Sequence, residues 1–119
     1  MPKKSIKRDK LHLLHVRDAI DKIEHYVNLG KQKHLQSDEL IFDAVAMQFC
    51  VIALALKNLS DSFRNKNPEI PYKKIIGMRN IISHEYHKVQ KSIIWKTCKE
   101  DLPTLKHIVI ESLKNSISK

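Results

Sequence analysis

The sequence predicts an all-α protein, an up-down bundle of four to five helices. Three observations lead there. The 119 residues include only two glycines. β-Branched residues do not alternate with polar ones as a half-buried strand requires. Apolar residues instead recur at three- and four-residue spacings, the period of an amphipathic helix. A chain of this length suits one domain, and a hydrophobic content of 42% suffices for one core. We therefore expect a single domain over residues 1–119, with residues 1–8 as a frayed basic arm.

The first helix is expected from about Asp9 to Leu29, where Leu13, Val16, Ile20, Ile23 and Val27 form one stripe. Gly30 is placed to end it in a left-handed conformation, and a polar loop, Lys31 to Gln36, follows. The second helix should start after Ser37, with Asp38 and Glu39 in its first turn, where negative charge suits the helix dipole. It should continue to about Phe63. Ile41, Val45, Gln48, Ile52, Ala55, Leu59 and Phe63 share one stripe; Phe42, Phe49, Ala53 and Leu56 share another. Two apolar stripes exceed what one small core needs, so one is expected to enter the core and the other to meet a second subunit.

Pro68 and Pro71 interrupt the pattern. A short helix from Pro71 to Ile76 should stop at Gly77, and another should open near Met78. A last helical stretch, from about Ser92 to Ile117, contributes Ile94, Trp95, Leu102, Leu105, Ile108, Val109 and Leu113 to the core. Pro103 should kink or divide it.

Charge and cysteine content narrow the function. The formal net charge of +9 favours a polyanionic partner: RNA, DNA or an acidic protein. Cys50 and Cys98 each sit amid helical pattern, and no CxxC or Cys/His cluster offers a zinc site. Two buried free thiols fit a reducing cytoplasm. The basic N-terminus leads into no apolar segment and so does not read as a secretory signal. The longest apolar run, Ala44 to Leu56, is too short to span a bilayer, so no membrane role is expected.

The segment Arg79-Asn80-Ile81-Ile82-Ser83-His84-Glu85-Tyr86 carries the chemistry. Arginine offers phosphate a planar fork of donors, and histidine exchanges a proton near neutral pH. Asn80 and His84 share a helix face, whereas Arg79 and His84 lie about 140° apart around the axis. A helix that ends near His84 would narrow that gap. Tyr86 reaches the same rim only if the chain leaves helical geometry around Glu85. His84 would then be general base or acid on a ribose 2′-hydroxyl, and Arg79 would hold the phosphate. Asn80 would orient the imidazole, and Tyr86 would position the nucleotide. No carboxylate pair with metal-like spacing stands nearby, so a route without metal or cofactor is the simpler one. The ordinary role of a histidine at a helix end is a cap or a surface group, and that reading fits His12, His15, His25, His34, His87 and His107. Trp95 and Tyr26 read as core.

The surrounding residues make the motif specific. Pro68-Glu69-Ile70-Pro71-Tyr72, Ile75-Ile76-Gly77-Met78-Arg79-Asn80, His84-Glu85-Tyr86, Ile94-Trp95 and Lys99-Glu100-Asp101-Leu102-Pro103 together resemble the HEPN superfamily. More closely, the chain is similar to HepT-like toxins encoded beside minimal (MNT-type) nucleotidyltransferase antitoxins. The likeness runs from about Leu11 to Leu113. It implies an all-α homodimer whose two Arg-x4-His-x-Tyr motifs face a shared cleft and act as a metal-independent ribonuclease. It also implies that a partner nucleotidyltransferase silences the toxin by transferring AMP to the motif tyrosine. On this chain Arg79 and His84 become the catalytic pair, Asn80 the supporting polar residue and Tyr86 the AMP acceptor. In many relatives the second helix carries acidic residues and a glycine where this chain has Cys50, Leu54 and Ala53, so a poorer polar lining is expected here. The alternative reading is a non-catalytic HEPN module that binds a nucleotide or presents a tyrosine to its partner.

Overall fold

The computed structural model describes the backbone of residues 2–37 and 39–117 and the side chains of residues 8–28 and 39–115. Among these, six α-helices and one short 3₁₀ turn follow in order, and no strand occurs. They are α1 (Pro2–Ser37), α2 (Glu39–Lys57), α3 (Asp61–Lys66), α4 (Tyr72–His84), the turn Tyr86–Lys88, α5 (Lys91–Glu100) and α6 (Leu102–Ile117). The all-α bundle expected from the pattern is the fold observed. α2 packs along α1 and against α4, while α6 packs on α1 and α5.

The core joins these helices through the predicted stripes. Val16, Ile20 and Ile23 of α1 meet Val45, Phe49, Ile52 and Leu56 of α2, with Ile75 of α4 and Leu105 and Val109 of α6. Thr97 of α5 is the buried polar side chain of this core among the described residues. Its hydroxyl is satisfied by donating to the Ile93 carbonyl at 2.9 Å. Trp95 and Tyr26 pack against the core as partly buried side chains.

Four boundaries differ from the expectation, each for a local reason. α1 continues through Gly30 and through 31–36 as helix, and its first turns include residues 2–8. One interior glycine costs a helix only about 1 kcal/mol relative to alanine, which is too little to end it without a following breaker. Proline, here Pro2, is well suited to a first helical position. The side chains of Lys3, Lys4, Lys7 and His34, and the whole of Asp38, lie outside the described residues.

α2 stops at Lys57 rather than Phe63. The Asn58 amide folds back on the Leu54 carbonyl at 2.9 Å, and Arg64 donates to the carbonyls of Leu56 at 3.0 Å and Lys57 at 2.6 Å. These bonds satisfy acceptors that further helix would have used. Ser60 then caps α3, its hydroxyl accepting from the Phe63 N–H at 3.1 Å. Ser60 also donates its N–H (2.8 Å) and its hydroxyl (2.6 Å) to Asp9, which ties this junction to α1.

α4 runs unbroken through Gly77 instead of dividing there. The last stretch does divide, one residue before Leu102, with Asp101 between α5 and α6. Pro103 has no N–H for the carbonyl four residues earlier, so continuous helix is disfavoured there.

The α2 stripes also differ from expectation. Val45, Ile52, Ala55 and Leu59 of one, and Phe42, Phe49, Ala53 and Leu56 of the other, are all buried within the one chain. Both stripes are used because α1 and α4 cover two flanks of α2. The exposed apolar side chains of α2 form a third line, Leu40, Met47, Val51 and Leu54. By length and composition alone, the 19-residue α2 could cross a membrane, because Glu39 to Asp43 and Lys57 lengthen the shorter apolar run.

Candidate active site

The end of α4 builds the site. The helix closes at His84, and Glu85 leaves it with φ −141° and ψ 51°, its N–H still donating to the Ile81 carbonyl at 2.8 Å. The 3₁₀ turn that begins at Tyr86 then carries the chain sideways over α2. The break in helical geometry at Glu85 that the motif requires is therefore present.

Arg79 sits one and a half turns before the helix end and is partly buried. One of its Nη atoms lies 3.4 Å from Asn80 Oδ1, a long contact. Among the described residues it forms no ion pair. His84 is exposed, and among the described residues its imidazole has no hydrogen-bond or ion-pair partner. Asn80 thus leans on Arg79 rather than orienting the imidazole. A cation and a titratable ring stand at one helix end with their polar atoms uncommitted.

Tyr86 is placed differently from expectation. Its ring stays 43% exposed. Its hydroxyl, however, donates to the Asp43 carboxylate on α2. The ring stacks on Phe42 with centroids 6.1 Å apart and planes at 26°. The Lys91 ammonium lies 5.1 Å above the same Phe42 ring. Burial pushes the Tyr86 phenol well above its ordinary range, and the hydrogen bond and charge of Asp43, with Glu39 and Cys50 nearby, add to the rise.

α2 therefore brings an acidic contribution that the positions of Cys50, Ala53 and Leu54 do not suggest. It comes from Glu39 and Asp43, one face-turn apart near the start of the helix. The signal was available in the sequence as two carboxylates at i,i+4. Only the turn after His84, though, shows that Tyr86 comes back to them. Cys50 lies on the same side. Burial raises its thiol, while a hydrogen bond from Ser83 and the charge of Arg79 oppose the rise. The half-buried Cys50 and Arg79, with exposed Ser83 beside them, thus form the inner wall where α2 meets α4.

No group of three or more His, Cys, Asp or Glu that could hold a metal occurs among the described residues. A cavity of about 120 Å³ opens beside the motif, lined by Met78, Ile81, Lys88, Val89, Gln90, Ile93 and Ile94. A larger one, about 420 Å³, lies between α1, α5 and α6, with Trp95 and Cys98 in its wall. Neither includes Arg79, His84 or Tyr86. The motif lies outside both cavities, and Met47, Val51 and Leu54 on α2 and Ile81 on α4 are exposed apolar side chains.

Comparison with known proteins gives this geometry a context. Residues 16–112 match the family described as Ribonuclease HepT-like. A Thermococcus cleftensis protein named "Probable ribonuclease HepT" is 33% identical over 97 residues, covering 82% of this chain and 88% of that protein. A Caldanaerobacter subterraneus protein named "Putative RNase" is 38% identical over 77 residues, covering 65% of this chain and 69% of its own length. A Methanocaldococcus jannaschii protein named "Gamma-glutamylcyclotransferase and putative RNase" is 30% identical over 105 residues. The match covers 88% of this chain but only 47% of that longer protein. No solved structure matches the chain.

Proposed function

The chain belongs to the HepT-like ribonuclease family, and from that membership and the rim at the end of α4 we propose that it is an endoribonuclease acting without a metal ion. The observation that carries this is the pairing of an Arg79 free of any ion pair with an exposed, unpartnered His84 at one helix end, among the described residues. His84 takes the proton from a ribose 2′-hydroxyl, whose oxygen attacks the adjacent phosphorus. Arg79 binds the phosphate oxygens and stabilises the charge that builds on them. The 5′-oxygen leaves with the bonding pair and takes a proton from solvent, and a 2′,3′-cyclic phosphate remains. The net charge of +9 favours encounter with an RNA strand.

Two chains would complete the site. The third apolar line of α2, Leu40, Met47, Val51 and Leu54, joins Ile81 and Ile93 as exposed apolar surface around the motif. A homodimer covering this surface would bring two motifs into one cleft. In this reading the protein is the cytoplasmic toxin of a two-gene module, and an MNT-type nucleotidyltransferase silences it by moving AMP onto Tyr86. The added phosphate would sit beside Arg79 and repel RNA.

The second reading is a non-catalytic HEPN module that binds a nucleotide or a nucleotidyltransferase. The open position of the motif, outside both cavities, favours it. Incubating the purified protein with end-labelled RNA in EDTA separates the two. Cleavage that persists in chelator supports the ribonuclease; cleavage restored only by magnesium argues for a metal site; RNA left whole in both supports the binding module.

A further inference from the structure

Tyr86 donates its phenolic hydrogen to Asp43, a residue 43 positions away on a different helix. Nothing in the RNA-cleaving arrangement uses this contact. It is not a buried tether, because both residues are exposed. The geometry nevertheless constrains the tyrosine closely: Phe42 stacks on its ring, and Asp43, the next residue on α2, takes its proton. Tyr86 keeps 43% of its surface open, so a second enzyme can approach it without displacing α2.

A phenol that is to attack phosphorus must lose its proton. The Tyr86 phenol is held above its ordinary range by burial first and by Asp43 second, so it does not ionise by itself near neutral pH. A base within hydrogen-bond reach of that proton is then required in the transfer step. Resting on the AMP-transfer reading given above, we propose that Asp43 is the general base for the modification of Tyr86, so that the protein supplies part of the chemistry of its own silencing. The phenolic oxygen attacks the α-phosphorus of a nucleoside triphosphate held by the partner enzyme. The O–H bond breaks and its proton passes to the Asp43 carboxylate. The new bond joins the phenolic oxygen to phosphorus, and pyrophosphate leaves with the bonding pair. The product is a phosphodiester whose phenolic oxygen has no proton left to donate; Asp43 returns the proton it took to solvent, and the carboxylates of Asp43 and Glu39 then face the new anion. The contact that holds Tyr86 on α2 is lost, and repulsion turns the modified ring away from α2.

The test follows AMP incorporation by intact mass over time, using ATP, magnesium and the partner nucleotidyltransferase. Asp43→Asn keeps the shape and a weak acceptor but removes the base, and should slow incorporation about a hundred-fold. Asp43→Glu keeps a carboxylate and should stay within about ten-fold of the unmodified sequence; it carries the test should Asp43→Asn lose its helical circular dichroism. Tyr86→3,5-difluorotyrosine supplies a more acidic phenol and should restore most of the rate lost in Asp43→Asn, which a merely structural role would not allow. Three results overturn the proposal: Asp43→Asn accepting AMP as fast as the unmodified sequence; accepting it faster, which would make Asp43 a shield; or a slow rate that the fluorinated phenol does not rescue. If the unmodified sequence accepts no AMP at all, the AMP-transfer reading itself falls, and this proposal with it.

Discussion

Two arginine–tyrosine pairs, Arg64 with Tyr72 and Arg79 with Tyr86, show how this small protein separates structure from chemistry. Arg64 closes the end of α2 by donating to two backbone carbonyls, and its guanidinium lies 5.4 Å from the centroid of the Tyr72 ring. The Tyr72 hydroxyl donates to the Asn67 carbonyl at 2.9 Å. Every strong contact of this pair goes to the protein's own backbone or ring, although Arg64 Nε is left buried without a partner. Among the described residues the hydrogen bonding of Arg79 is limited to a long contact with its neighbour Asn80. Tyr86 is bound to a carboxylate, a partner that a competing chemistry can displace. The same residue types thus serve opposite ends: one pair is consumed by the fold, the other is left with capacity for a substrate.

This contrast can be broken by mutation. Arg79→Ala should lower RNA cleavage by about 10²–10³-fold, the usual loss when a charge-stabilising donor is removed. Its thermal midpoint should stay within a degree or two of the unmodified sequence. Arg79→Lys should fail nearly as badly, because lysine lacks the planar fork. A gel-based cleavage assay with a parallel melting curve checks both. Arg64→Ala should do the reverse. It removes charge-assisted bonds that cap α2 and should cost about 2 kcal/mol in a urea titration, while cleavage per folded molecule is retained. An Arg64 variant that was stable but inactive would erase the distinction.

The two thiols sharpen the same contrast. Burial pushes the Cys98 thiol up to about 12 from an ordinary 9.0. Its proton is therefore held more tightly in the folded state than in the unfolded one. The resulting stability is complete below pH 9.0 and is lost as pH rises toward 12. Cys98→Val should remove that part of the alkaline decline in a pH series of melting curves. Cys50, at the inner wall of the motif, is raised by burial but helped toward ionisation by Ser83 and Arg79. It should be alkylated before Cys98 under native conditions, which peptide mapping after a short exposure to iodoacetamide would show. The smallest effect is expected at Gly77. A Cβ there would meet nothing within 4 Å, and no left-handed backbone requires glycine. Gly77→Ala should stabilise α4 by up to about 1 kcal/mol, with the motif eight residues long and unchanged in sequence.

The sequence made the helical class, the α1 stripe and the break at Glu85 legible, because each depends on local period or on one spacing. It was less informative where tertiary partners decide. Gly30 and Gly77 read as stops, yet both lie inside helices, since a single interior glycine costs a helix only about 1 kcal/mol. Lys57 ends α2 because Arg64, seven residues on, returns to cap it. One of the two apolar stripes of α2 read as an interface, but most of both stripes is buried within the one chain. At the site, Arg79, His84 and Tyr86 are proposed from spacing and context. Asp43 is not, because its contact with Tyr86 spans two helices and a turn whose direction no local pattern encodes.

The most direct measurement of the central claim is single-turnover cleavage of a labelled RNA by His84→Ala protein in EDTA, beside the unmodified sequence at equal folded concentration. If the uncommitted imidazole at the end of α4 is the proton carrier, His84→Ala should cut at least about a hundred-fold more slowly while keeping the circular dichroism and melting temperature of the unmodified protein. Cleavage at the unmodified rate by His84→Ala would contradict the account and move the chemistry away from this helix end.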